Sequence, residues 1–280
     1  MSKIDNLVQD IYDMAETKSH PARVPAEQIF NDFGSNMESI LRDWLYPKDY
    51  NGSTLRMSNI GHPDRKLWYK HRKSEYKGER LKAHTLIKFL YGHLIEEMIL
   101  ALVKLSGHDV TDEQKRVELE GIKGSMDCKI DGLLCDVKST STYGFKKFKE
   151  DRLQYDDPFG YIDQISGYGQ AEGADEACFL AMDKSNGHLA VSKVDLLDKD
   201  VVKRIKHVKE MIELETIPEP CYDLVPDGKS GNMKLPIGCS YCEFKKHCYP
   251  NMRVFAYSSG PRFLAVVNNE PKVMEIRNYE

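Results

Sequence analysis

A chain of 280 residues that is 41% hydrophobic and 30% charged holds enough apolar material for one large globular domain with elaborations, or a core with a small appendage. No apolar run approaches the roughly 20 residues of a membrane span, and Met1-Ser2-Lys3-Ile4-Asp5 lacks a basic start followed by an apolar stretch; the expectation is a soluble cytoplasmic protein without a membrane partner. The formal net charge of −4 excludes a basic field over the whole surface, so any contact with nucleic acid relies on local patches, Arg65-Lys66 with Lys70-His71-Arg72-Lys73, and Lys146-Lys147 with Lys149.

Residues 1–50 carry two helical patterns, 4–17 and 25–45, separated by Ser19-His20-Pro21, and read as an N-terminal helical accessory region. Residues 51–73 form a loop and a basic, aromatic helix entry, punctuated by Asn51-Gly52, Gly61 and Pro63. Over 80–106 the spacing of Leu86, Phe89, Leu90, Leu94, Met98 and Val103 predicts a largely buried helix. Strands are expected at 115–123, 124–130 and 133–140, then a helix at 158–173. A second hairpin, 177–183 and 188–194, turns near Asn186-Gly187 and leads into an amphipathic helix at 196–214. This order predicts an α/β (α+β) core with a central mixed β-sheet flanked by helices. The expected division is 1–50, a core over 51–215, a Cys-rich segment over 216–255 and a C-terminal tail over 256–280.

The densest chemistry lies in residues 124–138. Asp131-Gly132 suits the positive φ angles of a two-residue type I′ turn, flanked by Ile130 and Leu133-Leu134. If Ile130 pairs with Leu133, Asp127 lies opposite Asp136 and Ser125 opposite Lys138, while the period of two sets Lys138 beside Asp136 on one face. Two carboxylates that close repel unless a cation lies between them, and oxygen donors of that kind suit Mg²⁺ or Mn²⁺. The opposite face, with Cys128, Ile130, Cys135 and Val137, is apolar enough to meet a core. Asp131 is the rival to Asp127, but this register sets it in the turn.

Other polar groups stand out less. Gly92-His93-Leu94-Ile95-Glu96-Glu97 embeds ionisable groups in an apolar helix, where an unpaired carboxylate is costly. Gln164 and Tyr168, four residues apart, reach one side of their helix. Among seven cysteines, Cys128, Cys135 and Cys178 fall in apolar strand-like segments, whereas Cys221, Cys239, Cys242 and Cys248 crowd the C-terminal region as a candidate ligand set.

The ordered set Gly92-xxx-Glu96, Gly124-xx-Asp127, Asp136-x-Lys138 and Gln164-xxx-Tyr168 resembles the PD-(D/E)XK nuclease superfamily, in its RecB-like phage exonuclease branch, over about residues 55–250. The resemblance implies a restriction-endonuclease-like core, with Glu96, Asp127 and Asp136 as metal ligands, Lys138 as the catalytic lysine and Gln164 with Tyr168 as the supporting motif. Met57-Ser58-Asn59-Ile60 through Arg65-Lys66 and Tyr69 looks like the family's upstream segment, although the cysteine that iron-sulfur members carry there is missing. Cys239-x₂-Cys242-x₅-Cys248 is similar to the spacing that the CRISPR-associated adaptation nucleases use for three ligands of a [4Fe-4S] cluster. Cys221 would supply the fourth, with His62 and His247 as alternatives. Four thiolates suit Zn²⁺ equally well.

The activity so implied is a Mg²⁺- or Mn²⁺-dependent exonuclease, phage-encoded, acting on double- or single-stranded DNA with free ends in recombination, replication or host DNA degradation, with a single-strand annealing or recombination protein as partner. Arg65, Lys66 and Tyr69 would hold the strand by phosphate contact and stacking. The alternatives are an endonuclease or CRISPR-adaptation-like nuclease, and a non-catalytic DNA-binding recombination factor.

Overall fold

The computed structural model describes residues 3–21, 24–47, 55–197, 199–277 and 279; Asn51-Gly52, expected as loop punctuation, lies outside them. The chain divides into two units, one of Met1–Gly61 with Lys82–Ile205 and one of His62–Leu81 with Lys206–Glu280. These limits differ from the expected divisions at 50, 215 and 255.

The first unit contains helices α1 (Leu7–Thr17) and α2 (Ala26–Leu45), and, after helix α3 (Asp64–His71) of the second unit, helix α4 (Ala83–Leu105). Strands β1 (Val110–Thr111), β2 (Arg116–Leu119), β3 (Ile122–Ser125), β4 (Cys128–Ile130) and β5 (Leu133–Thr140) follow. Then come α5 (Thr142–Lys149), α6 (Tyr161–Glu172), β6 (Glu176–Asp183) and β7 (Leu189–Asp195). The central sheet has the order β1-β4-β5-β6-β7 and is mixed: β5 and β6 run parallel, all other pairs antiparallel. The expected architecture, a mixed sheet flanked by helices, is therefore present.

One face of that sheet is apolar. Cys128, Ile130, Cys135, Val137, Cys178 and Leu180 pack with Leu7 and Ile11 of α1 and with Ile95, Ile99, Leu100 and Val103 of α4. The three sheet cysteines lie in one register row, Cys128 beside Cys135 and Cys135 beside Cys178, and are fully buried free thiols, as their apolar surroundings predict. On β5 the alternate residues Asp136 and Lys138 point the other way, and Phe179, the register partner of Asp136, meets Phe148 of α5 at 5.4 Å between ring centroids.

The turn chemistry behaves as its residues dictate. Asp131 and Gly132 take φ values of 51° and 87°, and Ile130 pairs with Leu133, Lys129 with Leu134 and Cys128 with Cys135. The strand expected over 124–130 is broken, however. Met126 N–H donates to the Lys115 carbonyl at 3.0 Å, and the Asp127 carbonyl accepts from Gln114 N–H at 2.9 Å. Upstream of that switch the chain pairs with β2 in a separate two-stranded sheet, so Ser125 faces Arg116 rather than Lys138. The turn between β2 and β3 is Glu120-Gly121, both at positive φ, where one continuous strand at 115–123 was expected.

Helix α4 also departs from expectation. Its second half is buried, but Leu86, Ile87, Phe89 and Tyr91 in the first half are between 41% and 58% exposed. Among the described residues no helix is long and apolar enough to cross a membrane.

The second unit contains α3 and, beyond α7 (Val201–Glu213), within which the division falls, a sheet of order β10-β11-β9-β8. These strands are β8 (Val225–Pro226), β9 (Met233–Lys234), β10 (Arg253–Tyr257) and β11 (Gly260–Val266), with short helices α8 (Ile237–Ser240) and α9 (Lys245–Cys248) between β9 and β10. The tail expected at 256–280 thus carries part of a β-hairpin. Val254, Phe263 and Leu235 form its small core.

Candidate active site

The six side chains of the sequence-derived site, Glu96, Asp127, Asp136, Lys138, Gln164 and Tyr168, form one connected set in the first unit, each within electrostatic or hydrogen-bonding reach of Asp136 or Asp127. Central strand β5 supplies two of them. Asp136, its side chain 2% exposed, forms an ion pair with Lys138 through Oδ2 and accepts from Gln164 Nε2 at 3.2 Å through Oδ1. Gln164 and Tyr168 stand one turn apart on α6, and Tyr168 exchanges a hydrogen bond with Gln164.

Asp127 arrives by a different route from the ladder expected. In a ladder continued at the β4–β5 register, Val137 N–H would reach the carbonyl of residue 126; instead Asp127 Oδ2 takes it at 2.8 Å. The carboxylate thus replaces a strand partner at the point where the chain leaves the sheet, which holds it beside Asp136. Glu96, from α4, accepts from Gln114 Nε2 at 3.1 Å and lies 3.9 Å from His93 Nδ1. Asp131, the rival carboxylate, is held in the turn by His108 at 2.5 Å, and His108 also meets Asp10 at 3.1 Å.

The electrostatics follow from burial and from like charges set together. Burial, then Asp136 and Glu96, push the Asp127 carboxyl well above the usual range. Burial also raises Asp136, although Lys138 opposes it. For Lys138 burial works against the charged form, but Asp136 and Asp127 outweigh it and hold its pKa above the ordinary lysine value, so the ammonium is kept. Burial and the two aspartates raise Tyr168, which stays a neutral hydroxyl. The nearby Glu96 carboxylate raises His93 against the effect of burial.

Gly124 has a steric reason to be glycine. A Cβ there would stand 2.6 Å from Met57 Cβ and 2.7 Å from Tyr168 Cε1, both fully buried side chains. Gly124→Ala is therefore expected to cost about 1–3 kcal/mol through overpacking and to displace Tyr168. A urea midpoint equal to wild type would refute that. Gly92, by contrast, meets only Ser139 Oγ at 3.7 Å, an ordinary contact.

Beside this centre lies a cleft of about 750 Å³ lined in part by Arg56, His93, Gln114, Arg116, Lys123 and Tyr168. Nothing in the sequence marks Arg56, Arg116 or Lys123 as site residues. Their signal was weak, because isolated basic residues on short strands and loops are ordinary surface chemistry.

The expected strand-holding residues are in the second unit, where Tyr69 and Arg65 are engaged in other contacts. Tyr69 is 2% exposed, stacked on Phe244 at 5.4 Å and hydrogen-bonded to Cys248, so its ring has no free face for a base. Arg65 Nε donates to the Pro218 carbonyl at 2.5 Å, which makes it a tether between α3 and the chain after α7. Lys66, half-buried, lends its backbone N–H to Cys221.

Cys221, Cys239, Cys242 and Cys248 come within electrostatic reach of one another in that unit. Burial and the three neighbouring sulfurs push Cys239 up to about 12. Burial raises Cys221 and Cys242 as well, opposed by N–H donors: Cys242 Sγ accepts from Phe244 N–H at 3.4 Å, and Cys221 from the backbone of Lys66 and Arg65. His247, the alternative ligand, has its Nε2 at 2.8 Å from the Lys77 carbonyl. Burial, Lys66 and Lys70 lower His62 to about 3, so its imidazole is neutral. Among the described residues, no group of three or more His, Cys, Asp or Glu side chains has a metal-ready arrangement, at either centre.

No protein-family model matches the sequence, and no curated protein matches it. Among solved structures the chain is similar to the protein SSO0001, at 13% identity over 76% of this chain and 93% of that chain, with a TM-score of 0.44. It is also similar to an alkaline exonuclease from Laribacter hongkongensis (14%, 55% and 87%, TM-score 0.38). A phage-related exonuclease from Haemophilus somnus gives 16% identity over 56% of this chain and 91% of that chain, with a TM-score of 0.39.

Proposed function

We propose that the chain is a divalent-metal-dependent deoxyribonuclease that hydrolyses phosphodiester bonds from DNA ends. The observation that supports this most directly is the buried Asp136, paired with Lys138 and set close to Asp127 and Glu96: burial, then Asp136 and Glu96, raises Asp127, and burial, then Glu96, raises Asp136 against Lys138. Two further carboxylates set close to the buried Asp136 are a cost to the fold unless a cation offsets it. Their oxygen donors suit Mg²⁺ or Mn²⁺, which Glu96, Asp127 and Asp136 would hold. When bound, such an ion polarises the phosphate and lowers the pKa of an attacking water.

The chain's own residues supply the rest. Lys138, kept as an ammonium, offers its proton donors and charge to a non-bridging phosphate oxygen, where negative charge grows during in-line displacement. Asp136 and the Tyr161 ring, whose centroid lies 5.2 Å from Lys138 Nζ, fix the direction of that ammonium. Gln164 holds Asp136 by its other oxygen, and Tyr168 braces Gln164. The basic walls of the neighbouring cleft, Arg56, Arg116 and Lys123, suit the phosphates of the retained strand.

The test is digestion of end-labelled linear DNA beside closed circular DNA, with Mg²⁺, with Mn²⁺ and with EDTA. Loss of the linear substrate alone, only with metal, is expected. Cutting of circles would replace this reading with an endonuclease, and binding without cleavage would replace it with a DNA-binding factor.

The four C-terminal-region cysteines are proposed as ligands of a structural Zn²⁺ ion or [4Fe-4S] cluster, on the strength of their mutual approach and the N–H donors around Cys221 and Cys242. Metal analysis of the purified protein is expected to find one such group per chain, and its removal by a chelator to lower the melting temperature. A metal-free chain with an unchanged melt would sink the assignment.

A further inference from the structure

We propose that Phe159, backed by Tyr161, forms a stacking platform for a nucleobase next to the scissile phosphate, so that the site takes a single-stranded DNA end; this deepens the nuclease reading and rests on it. Tyr161 opens α6, with Lys138 Nζ 5.2 Å from its ring centroid and the rings of Phe148 and Phe179 at 6.1 and 6.3 Å. Phe159 lies against Tyr161 at 5.6 Å, tilted by 33°, and is itself 46% exposed. An aromatic run thus leads from the core, past the lysine, to solvent, and it ends in a ring only one neighbour removed from that lysine.

The backbone that presents Phe159 is fixed. Gly160 adopts φ +75°, in contact with the backbone of Gly61 so closely that a Cβ on Gly160 would stand 2.4 Å from the Gly61 carbonyl carbon. Asp157 Oδ2 accepts from Ile162 N–H at 2.8 Å and ties the same loop to the first turn of α6. A large apolar ring held towards water by a constrained loop beside reactive groups is preorganised for a ligand with a flat apolar face.

Charge argues for the base rather than the phosphate as that ligand. Residues 142–160 contain four basic side chains, Lys146, Lys147, Lys149 and Arg152, and four acidic ones, Glu150, Asp151, Asp156 and Asp157. The edge therefore offers phosphates little net field, while its rings offer π faces that any base can use. A base inside a duplex stack cannot expose its face, so the platform requires a frayed or unpaired end.

The test is the binding, with Ca²⁺ in place of Mg²⁺, of short single-stranded oligodeoxynucleotides in which an abasic residue is scanned through the terminal positions. Wild type is expected to lose about tenfold in affinity when one particular base is missing, the scale of a single stacking contact. In Phe159→Ala that difference should vanish, and in Phe159→Trp it should return. A structural defect would weaken all oligonucleotides alike and leave the abasic penalty in place. An undiminished penalty in Phe159→Ala, or no penalty in wild type, overturns the platform. If linear DNA is still degraded with Mg²⁺ in that case, the nuclease reading stands without it; if nothing binds and nothing is cut, both fall.

Discussion

Replacing Lys138 with alanine is expected to lower DNA cleavage by about 10²–10³-fold, the scale on which a single preorganised donor to a developing oxyanion acts. The same change strips Asp136 Oδ2 of its ion-pair partner in a side chain that is 2% exposed. Removing one member of a buried pair costs about 3–5 kcal/mol, because the other charge is left behind. That cost is pH-dependent. Burial already raises Asp136 above the ordinary carboxylate value with Lys138 opposing, so without Lys138 the shift grows. A folded-state carboxyl pKa above the unfolded one favours the fold at low pH, and that contribution is lost as pH rises through the folded value. The deficit in melting temperature against wild type should therefore be larger at pH 8 than at pH 5. Cleavage by Lys138→Ala at the wild-type rate would remove the lysine from the mechanism.

Asp127→Asn is expected to abolish metal-dependent cleavage and yet raise stability by about 1 kcal/mol in EDTA near neutral pH, the usual gain when a destabilising functional group is neutralised. The amide oxygen can still accept from Val137 N–H, as Asp127 Oδ2 does at 2.8 Å, while the repulsion from Asp136 and Glu96 disappears. At this chain length the gain corresponds to about 2–4 °C in melting temperature. Because the Asp127 pKa is raised well above its ordinary value, wild-type stability in EDTA should decline as pH climbs through that raised value, and the asparagine variant should lack that part of the slope. Mg²⁺ should stabilise wild type and leave the variant nearly unmoved. If the variant melts below wild type in EDTA at pH 8, the carboxylates are not repelling one another and the metal site loses its electrostatic basis.

What the sequence made legible was local. Asp131-Gly132 dictates its own φ angles, and from that turn the pairing of Cys128 with Cys135 and the shared face of Asp136 and Lys138 follow by counting. Spacing on one helix brought Gln164 and Tyr168 together for the same reason. The break at Met126-Asp127 was not legible, because it depends on segment 114–115 offering a better backbone partner than β5, a competition between strands distant in the chain. Glu120-Gly121 turns without an Asn-Gly or Asp-Gly signature. In β10 and β11 buried residues come in adjacent pairs, Val254-Phe255 and Phe263-Leu264, which hides the alternation a half-buried strand should show. The surroundings of Tyr69 were not legible either, since an aromatic in a basic segment looks the same whether it meets a base or, as here, Phe244.

The discontinuity of the second unit governs the order in which the protein can assemble on the ribosome. Residues 62–81 leave the ribosome early, but their partners lie far downstream: Trp68 Nε1 bonds the Leu214 carbonyl at 2.7 Å, and Arg72 bonds those of Ile212 at 2.5 Å and Leu214 at 2.7 Å. At ordinary elongation rates the intervening stretch takes roughly 6–25 s to synthesise. Throughout that interval Trp68 and Tyr69, each 2% exposed in the finished fold, can pack on each other and on Tyr76 but still lack Phe244 and the Leu214 carbonyl. The nascent chain should therefore remain prone to aggregation, and dependent on chaperones, until residues beyond 205 emerge, even once the sheet that carries the carboxylates is complete.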